Sequence, residues 1–515
     1  MSIKFIKERN KDGMLQPGKL LSKQVLYAVI TAAVLISAVF LRLSAYLDAR
    51  PLWHDEAPIA LTVINNSFSS LLDNILDLQK APLLFWAELK LSQMFLGNSE
   101  TALRFFPFLF SILSVFVFYI FSKKFPADKF IVNKGAVLAA NILFALNYRL
   151  IYFAGELKQY SGDVLFFMLS VLFYHKFLEK EFNLKNAFLF TAVSVFFLLS
   201  SFPVWFVSAA FIICRLFKLN KAERKYFIIS SLITGAIAAA YFYNSLLERY
   251  TAEIAYLSDY WSIGFINGSN ILKVISGFYN YLFFPFYISY VMIFLSVIGF
   301  YMFFKERKQE CIFYALLIII VITASCLKLY PIHERTALYL LPFILVISMY
   351  ALERFKAVKN KIVKVLLVFC AVLLLGNAFY TGKYIKRICA ENSFALWDGR
   401  KALNIIKEQY KEDDVILVNK SSAGQFDYYR QLLNFNPENV IVYNYRNEDE
   451  KKFTAFADGL EPGKTYWFYC VFAGREKTEL KYIMRWKKQH PDEIENEYKI
   501  KESYLLKVKK KYEQQ

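Results

Sequence analysis

The amino-acid sequence predicts a polytopic α-helical membrane protein that ends in a small α/β domain, and three observations carry this prediction. The chain is 57% hydrophobic and 18% aromatic, whereas soluble chains contain about 45–50% apolar residues. The apolar residues form uncharged blocks such as Val25–Leu41 and Leu282–Phe304, and each block is close to the ~20 residues needed to cross hydrocarbon. From about residue 381 the blocks give way to alternating helical and strand-like runs.

About eleven apolar segments are predicted to cross the membrane, which places the chain ends on opposite sides. The first, Val25–Leu41, follows a basic start and has no small-residue cleavage site after it, so we expect an uncleaved signal-anchor. Residues 1–24 then form a cytoplasmic N-terminus, 25–380 the membrane domain and 381–515 the C-terminal domain. The other predicted spans are Phe105–Phe121, Ala136–Phe153, Gly162–Leu178, Ala187–Ser200, Pro203–Phe217, Phe227–Ser245, Leu282–Phe304, Ile312–Cys326, Ala337–Leu352 and Ile362–Phe379.

Basic loops set the predicted orientation. If Pro82–Leu96 lies at the outer interface as an amphipathic helix, the basic loops all face the cytoplasm. Ala187–Phe217 lies between two such loops, so it is predicted to be a helical hairpin. We therefore expect a multi-pass protein of the cell inner (cytoplasmic) membrane, with a first outer loop at 44–104 and an extracytoplasmic C-terminal domain. These loops also account for the formal net charge of +19, so a nucleic-acid partner is not expected.

The C-terminal region alternates predicted helices with short β-rich runs, as a small α/β domain does. The helices are Gly399–Tyr410, Gln425–Leu433 and Glu476–Lys488, and the strands are Val415–Val418, Val440–Tyr443 and Tyr466–Cys470. The region has no glycine-rich dinucleotide or phosphate-binding motif, so no cofactor is assigned to it. A disulfide between Cys389 and Cys470 is an unfavoured alternative.

The first candidate site is the run Trp53-His54-Asp55-Glu56, just after the first span. Two adjacent carboxylates repel each other, which tends to raise the pKa of one and prepares it as a general base. The alternative is structural: Asp55 caps the following helix, which has Pro58 in its first turn. The residues themselves leave both interpretations open.

Three further groups of ionisable residues lie in predicted outer segments, where charges close to the membrane are often functional. Lys80 precedes the interfacial helix, Glu156, Lys158 and Tyr160 follow the third span with Asp163 close by, and His333 and Arg335 precede the tenth span. Lysine and arginine at the membrane surface suit a lipid phosphate. The structural alternatives are snorkelling for Lys80, an interfacial tyrosine with a charge pair, and an ordinary polar turn.

At these residues the sequence resembles the GT-C membrane glycosyltransferases, in the bacterial branch similar to protein O-mannosyltransferases and lipid A aminoarabinose transferases. The matching motifs, in order, are Trp53-x-Asp55-Glu56-Ala57, Lys80-Ala81-Pro82-Leu83, Glu100-Thr101-Ala102-Leu103-Arg104-Phe105-Phe106-Pro107, Glu156-x-Lys158-x-Tyr160 and Arg335-x-x-x-Tyr339-x-Leu341-Pro342. In the C-terminal domain the resemblance rests on Asp414–Val418 followed by Tyr428-Tyr429. Two positions depart: the family often has two prolines at Ala81-Pro82 and an arginine at Lys158, and lysine does not replace a bidentate clamp.

The resemblance implies a GT-C fold and inverting transfer of a sugar from a polyprenyl-phosphate donor to a hydroxyl of a lipid, glycan or protein acceptor. Asp55 is then the expected base, and Glu56 or Glu156 orients the acceptor or assists Asp55. The expected phosphate-binding and substrate-binding residues are Lys80, Lys158, Tyr160, Arg335, Trp53 and His333. Relatives differ on a divalent metal; if one is used, Asp55, Glu56 and Glu156 are its candidate ligands.

Two other classes of function compete with a transferase. A secondary transporter or lipid flippase is the main alternative, but such proteins place ionisable groups near the bilayer midplane, often in repeated halves. No half-repeat is visible in this sequence, and the ionisable residues cluster near predicted helix ends. A non-catalytic scaffold of the cell envelope is the third possibility, with the C-terminal domain as its working part.

Overall fold

The computed structural model contains a bundle of apolar helices and a small domain with a mixed sheet. It describes residues 17–76, 79–125, 131, 133–247, 263–283, 286–354, 361, 365, 398–445, 450–471, 478–500 and 503–512. By length and composition, five helices in these ranges can cross a membrane, or six if one bent pair is a single span. The fold is therefore that of a multi-pass membrane protein, as the sequence predicts.

The predicted spans that fall on described residues coincide with helices. These helices are Pro17–Leu47, Phe105–Lys124, Lys134–Ala145 with Tyr148–Ala154, Tyr160–Phe177, Leu184–Ser200, Pro203–Leu216, Lys221–Tyr241, Phe286–Glu306, Lys308–Cys326 and Leu341–Glu353. The predicted hairpin corresponds to two helices, with 17 and 14 residues, that are separated only by Ser201 and Phe202. The eleventh predicted span, Ile362–Phe379, lies outside the described residues.

One predicted span, Ala136–Phe153, is broken. The helices Lys134–Ala145 and Tyr148–Ala154 meet at an angle of 48°. Two side chains satisfy the backbone groups that the break releases, as an apolar environment requires. The side-chain oxygen of Asn147, Oδ1, accepts hydrogen bonds from two amides of the second helix. Arg42 Nη1 donates to the Ala145 backbone carbonyl over 3.0 Å.

Shorter helices lie between the spans. The predicted interfacial helix is present as Leu83–Leu96, and Ala57–Asn65 and Glu100–Leu103 belong to the same long loop. The segment between the predicted spans Phe227–Ser245 and Leu282–Phe304 contains a helix that the sequence analysis missed, Ile271–Leu282. Its buried residues are Val274, Phe278 and Leu282, spaced four apart on one face.

The C-terminal domain has a five-stranded sheet with the order β2-β1-β3-β5-β4. Its strands are β1 Val415–Asn419, β2 Val440–Tyr443, β3 Thr465–Cys470, β4 Ile494–Ile500 and β5 Ser503–Lys509. Strands β1, β2 and β3 are parallel, and β5 joins β3 and β4 antiparallel to both. The helices of the domain are Gly399–Gln409, Ala423–Leu432, Glu450–Asp458 and Thr478–Gln489.

The domain therefore contains the three predicted strands and three predicted helices, together with two strands and one helix that were not predicted. Cys470 is a buried free thiol in β3, and Cys389 lies outside the described residues. The domain shares a hydrophobic core with the first long loop, in which Leu52 and Trp86 pack in the same cluster as Phe426 and Trp467. The loop and the domain thus lie together at one end of the helix bundle.

Candidate active site

An ion pair between Asp55 and Arg335 lies at the centre of the candidate site. Arg335 Nη2 donates to Asp55 Oδ2 over 2.5 Å, although 280 residues separate them in the chain. The side chains are 16% exposed for Arg335 and 22% for Asp55, so solvent or a ligand reaches the pair. The guanidinium carbon lies 5.3 Å from the Trp53 ring centroid and 5.8 Å from that of Tyr160. Four predicted residues therefore meet here.

Arg335 lies at the start of the most buried candidate membrane span. The segment Glu334–Glu353 is 78% buried, whereas the other candidate spans are at most 39% buried. The strand-like residues before it are fixed as well, because Ile332 donates its amide to the Gly264 carbonyl over 2.8 Å. Arg335 thus extends from a rigid element, while Asp55 lies on the turn before Ala57–Asn65.

Lys158 is the second cation of the site. Its ammonium donates to Gln79 Oε1 over 2.7 Å, and the side chain is buried. Burial lowers the pKa of Lys158, although the negative charge of Asp55 opposes this effect. Burial also raises the pKa of Asp55, but Arg335 and Lys158 outweigh it and lower the pKa of Asp55 to about 2. Asp55 is therefore ionised and electrostatically held at neutral pH.

The hypothesis that Asp55 caps a helix is wrong. The N-cap residue of Ala57–Asn65 is Glu56, and no side chain makes a capping hydrogen bond there. Asp55 instead directs its carboxylate to Arg335.

Glu56 lies in a fully buried network next to the central pair. Arg104 binds its two carboxylate oxygens over 3.0 and 2.7 Å, and the Leu157 amide donates to Oε1 over 2.5 Å. Arg104 Nη1 also donates to the Arg50 carbonyl over 2.6 Å. Burial would raise the pKa of Glu56, but Arg104 and Arg50 outweigh it and lower this pKa. These bonds tie together three chain segments, and they leave Glu56 little capacity to orient an acceptor, the role expected from the sequence.

Glu156 is buried as well, but it keeps an open oxygen. Its Oε2 lies 3.3 Å from Arg50 Nη2, while Oε1 has no hydrogen-bond partner within the described part of the chain. Burial raises the pKa of Glu156, although Arg50 opposes the shift. Gly155 fixes the backbone before it, because a Cβ on Gly155 would collide with the Ala45 carbonyl of the first helix.

The remaining predicted residues, Lys80 and His333, lie beside the site. The half-buried Lys80 is held next to the Lys158 segment, because its carbonyl accepts from Gln159 Nε2 over 3.4 Å. His333 Nε2 lies 3.7 Å from the Glu334 carboxylate. Gly264 lies so close to His333 that a Cβ there would collide with the histidine Cβ.

A narrow cleft lies beside Lys158, lined by the helix Leu83–Leu96 and by residues of three spans. One part of its lining is polar and another is aromatic; the lining includes Glu88, Gln159, Ser200, Phe85, Phe110 and Phe166. Burial raises the pKa of Glu88 to about 8. The cleft thus has both polar and aromatic lining beside Lys158.

The three predicted carboxylates do not fit a divalent metal ion in this arrangement. Each faces a guanidinium: Asp55 with Arg335, Glu56 with Arg104 and Glu156 with Arg50. Metal-ligating carboxylates are expected to converge on one point. Among the described residues, no three His, Cys, Asp or Glu side chains cluster in this way.

Arg50 and Arg104 were missed as parts of the site. Arg104 lies inside the motif Glu100–Pro107, immediately before a span. An arginine at the entry to an apolar span is a usable signal, because a buried arginine needs an anionic partner. The partner itself, Glu56, is 48 residues distant in sequence.

The helix bundle, the site on loops at one end and the α/β domain beside them define the class of fold: it is the GT-C fold of membrane glycosyltransferases. Two solved structures with this fold are ArnT from Cupriavidus metallidurans in the apo state and ArnT from the same organism bound to undecaprenyl phosphate. The apo structure matches with a TM-score of 0.52 and 9% identity, over 95% of this chain and 98% of that chain. The bound structure matches with a TM-score of 0.51 and 11% identity, over 94% and 98%. No protein-family model and no curated protein sequence matches the chain.

Proposed function

We propose that the protein is an inverting membrane glycosyltransferase that moves a sugar from a polyprenyl-phosphate donor to an acceptor hydroxyl. One observation carries the proposal: a half-buried carboxylate, Asp55, contacts Arg335 within reach of the charge of Lys158, beside a cleft with polar and aromatic lining. A base and two cations at one place are the groups that displacement of a lipid phosphate requires. The GT-C fold supports the reaction class, and the undecaprenyl phosphate in one ArnT structure supports the donor class.

In the proposed reaction, the acceptor oxygen attacks the anomeric carbon and its proton passes to Asp55. The bond from that carbon to the phosphate oxygen breaks, and the lipid phosphate leaves with the electron pair. Attack opposite the leaving group inverts the anomeric configuration. Arg335 and Lys158 stabilise the charge that develops on the phosphate, which is a good leaving group and needs no strong general acid.

Arg335 has to change partners for Asp55 to act as a base. With a pKa of about 2, the carboxylate in its present pair is a weak proton acceptor, since a base works best with a pKa near the working pH. The donor phosphodiester offers Arg335 another anionic partner with bidentate geometry, and negative charge builds on that phosphate as its bond to the sugar breaks. When Arg335 turns to the phosphate, the largest force that lowers the Asp55 pKa weakens. Donor binding thus prepares the base.

The other residues take supporting roles in the proposal. Glu156, with its open Oε1, orients the acceptor hydroxyl, and Lys80 adds a cation to the phosphate site. Trp53 and Tyr160 flank Arg335 and restrict its movement, while His333 fixes the turn before it. Glu56 acts as a positioning residue through Arg104.

The proposed location is the outer face of the cytoplasmic membrane, with the N-terminus in the cytoplasm and the C-terminal domain outside. The basic loops between the spans support this orientation. The acceptor is then a lipid, a glycan or a protein hydroxyl on that side.

The test uses purified protein in lipid vesicles with a radiolabelled polyprenyl-phosphate sugar and an envelope extract as acceptor. We expect release of polyprenyl phosphate, and an Asp55→Asn variant should lose at least about 10³-fold in rate because the amide is not a base. Asp73→Asn, an exposed aspartate in the same loop, is the matched control and should retain activity. Movement of the intact donor across the vesicle without cleavage identifies a transporter instead, and a fully active Asp55→Asn variant removes Asp55 as base.

A further inference from the structure

The C-terminal domain binds the backbone of one residue in the catalytic loop from both sides. The Leu52 amide donates to Tyr429 Oη over 2.7 Å, and Gln425 Nε2 donates to the Leu52 carbonyl over 2.6 Å. All three residues are at most 1% exposed. Leu52 precedes Asp55 by three residues, so its position limits where the carboxylate can lie.

The helix Ala423–Leu432 also contacts Glu100, which lies next to the buried network of Glu56 and Arg104. Tyr429 Oη donates to Glu100 Oε1 over 3.1 Å, and Arg400 Nη1 donates to the same oxygen over 3.1 Å. Glu100 lies one helical turn before Arg104, which binds Glu56. A single tyrosine hydroxyl thus joins the backbone of Leu52, before Asp55, to the segment that anchors Glu56.

Apolar packing brings the two parts close enough for these bonds. Gly424 lies directly on the first turn of Ala57–Asn65, where an added Cβ would be 3.5 Å from the Ala57 Cβ. Three residues before Ala57, His54 Nδ1 lies 3.1 Å from the Ser421 carbonyl oxygen. The contact therefore covers the loop on both sides of Asp55.

The part of the domain that makes this contact follows the carboxyl end of β1. Strand β1 lies between β2 and β3, so the chain leaves it in one direction to reach β2 and returns past it to β3. Open α/β sheets usually bind ligands at such a position. In this protein the catalytic loop of the membrane domain lies at that position.

We propose that the C-terminal domain is a positioning part of the active site, in which Gln425 and Tyr429 fix Leu52 and thereby place Asp55 against Arg335. This inference rests on the proposed function. A domain that served only as a scaffold needs no hydrogen bonds to the backbone of one loop residue, whereas catalysis depends on sub-ångström placement of the reacting groups.

Two neighbouring tyrosines provide a matched test. Tyr429→Phe leaves the Leu52 amide and Glu100 without the shared hydroxyl. Tyr428→Phe removes the hydroxyl of the neighbouring tyrosine, whose side chain is buried as well. That hydroxyl donates to the carbonyl of exposed Asn98, where water can replace it. We expect Tyr429→Phe to lower kcat about tenfold or more, with the dissociation constant of undecaprenyl phosphate changed less than about threefold. Tyr428→Phe should stay within about twofold.

The pH profile separates positioning from a loss of folded protein. If Tyr429→Phe loosens the pair between Asp55 and Arg335, the pKa of Asp55 rises and the acid limb of kcat/KM moves to higher pH. A smaller folded fraction lowers the rate equally at every pH. Gln425→Met removes the other bond to Leu52 at similar volume, and it should shift the acid limb in the same direction if Tyr429→Phe does not yield folded protein.

The outcomes are distinct. An active wild type with unchanged kcat and pH profile in Tyr429→Phe and Gln425→Met overturns the inference alone. Equal losses in the Tyr429 and Tyr428 variants, without a shift of the acid limb, also overturn it. A wild type that cleaves no polyprenyl-phosphate donor overturns the proposed function and the inference with it.

Discussion

Asp55 and Glu56 are neighbours in the sequence, and each pairs with one arginine, yet their surroundings differ. Asp55 is 22% exposed and accepts a hydrogen bond from Arg335 Nη2. Glu56 is fully buried and holds Arg104 through both oxygens, with two backbone amides donating to it as well. The comparison teaches that two neighbouring ion pairs differ in access, and in our proposal the accessible pair opens to a ligand while the buried pair stays closed.

The largest expected effect is the loss of the closed pair. Glu56→Gln leaves the charge of Arg104 buried without its anion, so we expect a loss of about 3–5 kcal/mol in the free energy of unfolding. The parallel change Asp55→Asn should cost at most about 2 kcal/mol, because its pair is reached by solvent. Unfolding of both variants in one detergent, followed by circular dichroism, measures the difference. Equal losses would contradict the distinction between the two pairs.

The next effect concerns the pair that opens. Burial alone raises the pKa of Asp55, and Arg335 is the largest charge that lowers it. In Arg335→Gln the acid limb of kcat/KM should therefore move from near pH 2 to higher pH, with a rate loss of about 10²-fold or more. Arg335→Lys keeps the charge but not the bidentate geometry, so its acid limb should stay low while the rate falls about tenfold. A low acid limb in both variants would show that Arg335 does not control Asp55.

The smallest effect is at the alkaline side. Burial lowers the pKa of Lys158. Lys158 therefore loses its proton and its charge at a lower pH than an ordinary lysine does. Lys158→Arg should extend activity to higher pH and change the neutral rate by about threefold or less, since arginine stays charged. Lys90 is buried with a lowered pKa too, but it binds the Val63 carbonyl, so Lys90→Arg is the control. An unchanged alkaline limb in Lys158→Arg would exclude Lys158 from the phosphate site.

Much of the fold followed from the sequence because uncharged apolar blocks and buried β-rich runs are local signals. The strand β4 was missed for a local reason as well: four of the seven residues in Ile494–Ile500 are polar or charged, and only Ile500 is buried. The strand β5, Ser503–Lys509, has no such explanation, since five of its seven residues are buried. The helix Ile271–Leu282 does carry a local signal, since its buried residues recur every four positions, and the sequence analysis overlooked it.

The site could be predicted only as a set of segments. The residues that resemble the GT-C family placed Trp53, Asp55, Tyr160 and Arg335, and the structure brings these four together. The pairing itself could not be read from the sequence. Nothing local distinguishes Asp55 from Glu56, because the difference arises from arginines 280 and 48 residues away.

The close approach of Gly155 to Ala45 has a consequence for protein engineering. A membrane anchor is often treated as an interchangeable part, so that one apolar helix can be exchanged for another in a chimera. In this protein the first helix presents a carbonyl against which the backbone before Glu156 rests. A chimera with a foreign anchor would lose the close contact between Ala45 and Gly155. With it the chimera would lose one support for the position of the Glu156 carboxylate.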